Sequence, residues 1–92
     1  MQQERNELLR EAEIIEKSPS FISDFKIWKV RAQSFVERFG KEKIKQRASK
    51  IIEKDAFYLY AFETDRDDLE KQAVHHNKWQ LKEIIEILKL IQ

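Results

Sequence analysis

A chain of 92 residues makes one domain, and at this size only about 60–65 % of the unfolded surface is buried on folding, so stability rests on a single core. The absence of cysteine excludes disulfides and thiolate-ligated zinc, and one glycine with one proline is too few for a turn-rich sandwich or barrel. Charged residues make up 38 % with a net charge of only +1, which favours long solvated helices over a strongly basic polyanion binder.

Met1 to Arg10 is polar and lacks the apolar core of a secretory signal. The longest apolar run, Phe57 to Phe62, is far below the ~20 residues that span a bilayer. A soluble, cytoplasmic protein with no membrane span is therefore expected.

The first helix is predicted over about Gln2 to Lys17, with Leu8, Leu9, Ala12 and Ile15 inward and Glu4, Glu7, Arg10 and Glu11 toward water. Ser18-Pro19-Ser20 ends it, because proline cannot continue a helix but suits the start of the next, with Ser18 or Ser20 as N-cap. The second helix, Phe21 to Phe39, is the clearest element. Phe21, Phe25, Trp28, Ala32, Phe35 and Phe39 recur at alternating four- and three-residue steps and share one stripe. Gly40 then stands where a left-handed C-terminal cap is expected.

A third helix begins near Lys41 with Ile44, Ala48, Ile51 and Ile52 inward. Its periodicity continues through Ala56, Leu59 and Phe62, although residues 57–62 also suit a short strand. A lone strand has no partner in so helical a chain, so helix or irregular turn is preferred. The last helix starts after Thr64 or Asp65, with Asp67 and Asp68 in its first turn, and runs to about Ile91. Leu69, Ala73, Leu81, Ile84, Ile85, Leu88 and Ile91 form its apolar face. Residues 1–92 thus read as a single all-α domain, a compact, mostly antiparallel bundle of about four amphipathic helices with the second at its centre.

A single glycine excludes phosphate-cradling loops, and no serine lies in a nucleophile-elbow pattern. His75 and His76 are adjacent, so on a helix they point about 100° apart and cannot close on one metal ion. Asp68 and Gln72 precede His76 at four-residue spacing, but the set is poor in strong ligands and reads as a partly exposed polar patch. No catalytic, cofactor-binding or metal-binding residue is assigned, and a non-enzymatic role is expected.

Charge is unevenly spread. Residues 1–23 carry a net −2, residues 24–54 a net +6 and residues 55–92 a net −3. Within the basic segment Lys43, Arg47, Lys50 and Lys54 form one helical stripe, a candidate docking face for phosphates or an acidic partner. The simpler alternative, a solvated face balanced by the acids of the first and last helices, is preferred. Trp79 lies about 140° from Ile84 around the last helix, away from the Leu81–Ile84–Leu88 seam. It covers a flank of the first helix or sits in an interface, where tryptophan is enriched. Ile14, Ile22, Ile27, Val36, Trp79 and Ile87 all fall beside or off their main stripes. Some of them are expected to form an apolar patch that pairs two copies, with Trp79 and Ile87 as the candidate homodimer interface.

The stretch Asp24-Phe25-Lys26-Ile27-Trp28-Lys29-Val30, followed by Ser34-Phe35-Val36-Glu37-Arg38-Phe39-Gly40, resembles a helical accessory domain at the N-terminus of bacterial TIR-like or nucleotide-sensing defence effectors. The closing Leu81, Ile84, Ile85, Leu88 and Ile91 resemble that domain's final amphipathic helix. The resemblance covers about two-thirds of the chain, mostly at apolar positions, and implies a bacterial assembly or regulatory module that binds another protein or itself. Bacteriocin immunity proteins share the expected bundle architecture and, with nucleic-acid binding through the basic stripe, form the alternative.

Overall fold

Four helices build the chain in the computed structural model: α1 (Gln2–Glu16), α2 (Phe21–Phe39), α3 (Glu42–Tyr60) and α4 (Arg66–Leu90). The structure describes residues 2–60 and 66–91, and the side chains of 2–51 and 71–91. No strand occurs among the described residues, and the fold is all-α. The aromatic run expected as helix or turn is helical through Tyr60; Ala61 and Phe62 lie outside the described residues, as do Thr64 and Asp65.

The break between α1 and α2 follows from its sequence. Lys17 and Ser18 donate backbone N–H groups to the carbonyls of Ile14 and Ile15, tightening the last turn, and Pro19 has no N–H to prolong it. Ser20 occupies the N-cap position of α2, but its side chain makes no capping bond. Ser18 does the bridging instead. Its hydroxyl accepts the Ser20 N–H at 3.1 Å and donates to the Asp24 carboxylate at 2.7 Å, which ties the turn to the first turn of α2.

The stripe of α2 forms the core as its spacing requires. Phe21, Phe25, Trp28, Ala32 and Phe35 are buried, and the rings of Phe21, Phe25 and Trp28 stack in sequence. Phe39 departs from the expectation. It remains 38 % exposed at the end of the helix, tilted against Phe35 and covered by the Arg38 guanidinium.

Gly40 also departs from it. Its φ of −80° and ψ of 146° are extended rather than left-handed, so the helix stops without a left-handed cap. Glycine is still needed there. Its N–H donates to the Val36 carbonyl at 2.7 Å, and a Cβ would lie 2.6 Å from that same oxygen. Close approach of backbone to backbone, not positive φ, excludes a side chain at this turn.

Cross-helix contacts fix the directions. Glu4 pairs with Arg38 and Glu11 with Arg31, so α1 and α2 run antiparallel. Arg47 reaches Glu83, and Gln80 reaches the Ile51 carbonyl, so α3 and α4 are antiparallel too. Arg5 at the start of α1 donates to the Ile91 carbonyl beyond the end of α4. Near one end of the bundle Lys78 lies over Phe21, and near the other Phe39 and Leu90 line one depression, so α2 and α4 run parallel. The result is an up-down-up-down bundle in which α2 and α4 occupy the short diagonal. Each touches all three other helices, whereas α1 and α3 do not meet among the described residues. The central place expected for α2 is therefore shared with α4.

Sharing the centre widens the buried arc of α4. Leu81, Ile84, Leu88 and Ile91 face inward as expected, but Ile87 is also fully buried. Its assignment to an exposed interface is corrected. A helix enclosed on three sides buries more of its circumference than a single stripe. Val36 of α2 is buried for the same reason. The polar Asn77 and Gln80 are drawn in as well, and Gln80 satisfies its amide by donating to the Ile51 carbonyl at 3.0 Å.

Candidate functional site

The basic stripe of α3 is presented to solvent at Lys43, Arg47 and Lys50; the side chain of Lys54 lies outside the described residues. The stripe is not all free charge. Arg47 Nη2 donates to Glu83 Oε2 of α4 at 3.3 Å, which neutralises its middle position.

Trp79 lies on the outer side of α4 with 37 % of its surface exposed, stacked on His76 at 5.7 Å between ring centres. His75 is exposed, whereas His76 is half-buried beneath the indole. Among the described residues no three histidine or acidic side chains converge on a common point. No described helix is long and apolar enough to cross a membrane.

An apolar surface lies elsewhere, along the seam of α1 and α2. Ile14 and Ile27 are each 66 % exposed and flank an open groove of about 240 Å³ whose floor includes Ile15 and Trp28. Val30, one helical turn beyond Ile27, is 65 % exposed. Glu11 and Arg31 pair at one end of the groove, and Asp24, held by Ser18, marks the other. The local fold explains the exposure. Trp28 turns its ring inward and donates its indole N–H to the Leu8 carbonyl, so Ile27, one position earlier, must point about 100° away from it.

A second apolar depression, of about 550 Å³, sits at the α2–α3 turn, formed by Phe39, Ile44, Leu90 and Ile91 beside Lys41. Leu90 is 55 % exposed there.

Of the off-stripe residues picked from the sequence, Ile14, Ile27 and Trp79 are on the surface, Ile22 is half-buried, and Val36 and Ile87 are in the core. Val30 and Leu90 were not among them. Val30 was detectable, because it falls three residues after Ile27 on the side of α2 opposite the aromatic stripe. Comparison with known proteins finds no matching family model, no matching curated protein and no matching solved structure.

Proposed function

We propose that this chain is a non-enzymatic module that binds another protein or a second copy of itself, in a bacterial, cytoplasmic setting of the kind implied by its resemblance to accessory domains of defence effectors. One observation carries the reading. Ile14, Ile27 and Val30 stand about two-thirds exposed on α1 and α2, whereas the other large apolar side chains among the described residues are buried or half-buried, apart from Phe39, Trp79 and Leu90. Grouped exposed aliphatics with a charged rim are the ordinary composition of an association surface. The absence of cysteine suits a reducing compartment.

The test is a comparison of amide spectra of labelled protein in dilute buffer and inside bacterial cells. Shifts or broadening concentrated at Ile14, Ile27 and Val30 support a covered surface. Identical spectra in dilute solution, in concentrated solution and in cells would remove the reading.

A further inference from the structure

The geometry points to a second copy of this chain as the occupant of the α1–α2 seam, docked antiparallel about a two-fold axis that passes close to Ile27 and Val30. This rests on the proposed association role and names its partner and its surface.

The first support is height along the bundle. The pairs Glu4–Arg38 and Glu11–Arg31 set the register of α1 against α2, and in that register Ile14 lies level with residue 28. Ile14, Ile27 and Val30 therefore occupy one band. A two-fold axis at this height sets the band against itself, aliphatic on aliphatic. Positions 27 and 30 share their midpoint with positions 23 and 34. The axis that puts Ile27 opposite the second copy's Val30 therefore also puts Ser23 opposite its Ser34. Both serines are exposed, and their small side chains let two helices approach closely.

The second support is charge. Asp24 and Arg31 lie on either side of the band and both line the groove. Antiparallel docking brings the Asp24 carboxylate of each copy toward the Arg31 guanidinium of the other, twice per dimer. Parallel docking would place Asp24 against Asp24 and Arg31 against Arg31. Arg31 already holds Glu11 of its own chain, but its fork of five N–H donors accommodates a second carboxylate. A partner of one sign would meet Glu11 and Asp24 alongside Arg31 and be repelled by part of the rim. A second copy matches both signs.

Sedimentation equilibrium of the full chain at micromolar to hundreds of micromolar concentration tests this. The parent should show a monomer–dimer equilibrium, and Ile27→Glu should weaken it by about tenfold or more. Because Ile27 is two-thirds exposed, that variant should keep the parent's helical content. Asp24→Arg and Arg31→Asp should each weaken self-association, and an equimolar mixture of the two should recover it, since both cross-pairs are then opposite in sign. A strictly monomeric parent overturns the proposal while leaving binding to a different protein open to the in-cell comparison. A dimer that is indifferent to Ile27→Glu but dissociated by Trp79→Glu overturns this surface and keeps self-association. Failure of the mixture to associate more strongly than either variant alone overturns the antiparallel pairing.

Discussion

The indole N–H of Trp28 donates to the backbone carbonyl of Leu8 at 2.9 Å, in a fully buried position where α1 crosses α2. The bond fixes how α1 sits on the bundle, because Leu8 and Ala12 are the only fully inward residues of that helix. Trp28→Phe keeps much of the apolar bulk but loses the donor and some volume. A loss of about 1–2 kcal/mol is expected, against about 3–5 kcal/mol for Trp28→Ala. Urea unfolding of both variants measures the difference. Equal losses in the two would mean that the hydrogen bond, rather than ring packing, dominates.

Phe35 and Phe39 lie one turn apart on the same stripe but differ in burial, 0 % against 38 % exposed. Phe35→Ala should cost about 3–5 kcal/mol, enough to unfold much of so small a domain, and Phe39→Ala less than about 1.5 kcal/mol. Comparable thermal midpoints for the two variants would contradict the fraying of the stripe at its C-terminal end.

Gly40→Ala tests the close approach at the α2–α3 turn. A Cβ would meet the Val36 carbonyl oxygen at 2.6 Å, so the turn must open, at a cost of about 1–3 kcal/mol. A left-handed cap would predict a penalty of a different origin, one that asparagine relieves. Here Gly40→Asn should be no better than Gly40→Ala in chemical denaturation.

Gln80 is wholly buried, and while its amide nitrogen reaches the Ile51 carbonyl, its own carbonyl oxygen has no hydrogen-bond partner among the described residues. Gln80→Met, which keeps length and removes the unsatisfied acceptor, should be neutral or stabilising within about 1 kcal/mol. Gln80→Ala should lose about 2 kcal/mol or more through the cavity it leaves. Destabilisation of the methionine variant to the alanine level would show that the polar contact to Ile51 is essential.

Lys43 and Lys50 remain exposed, whereas Arg47 is drawn to Glu83. With its centre neutralised, the stripe should give only weak, salt-sensitive association with generic duplex or single strands at physiological ionic strength. Fluorescence anisotropy with labelled strands checks this. Micromolar binding abolished by charge reversal at Lys43 and Lys50 would promote the nucleic-acid alternative.

Much of the fold was legible because helix signals are local. The alternating spacing from Phe21 to Phe35, the Pro19 break and the Gly40 stop each act within a few residues, and the four helices follow. What was not legible depends on how many neighbours a helix has. Ile87 and Val36 look peripheral on a single-stripe projection, yet both are buried because α4 and α2 are enclosed on several sides. The same enclosure buries Gln80, a residue whose polarity gives no hint of it. The surface seam was half legible. Ile14 and Ile27 were visible as misfits, but only the register set by the Glu4–Arg38 and Glu11–Arg31 pairs brings them to one height.

The diagonal contact of α2 with α4 carries a consequence for biosynthesis. While the ribosome is still adding α4, the aromatic face of α2 has no lid, because Leu81, Ile84, Ile87 and Leu88 have yet to be made. At about 5–20 residues per second the 25 residues of α4 take on the order of seconds to emerge, longer than helices need to form. The nascent chain therefore waits in an open, sticky state, and the bundle closes only once α4 has been made. Chaperone demand should accordingly fall sharply once the last helix clears the exit tunnel.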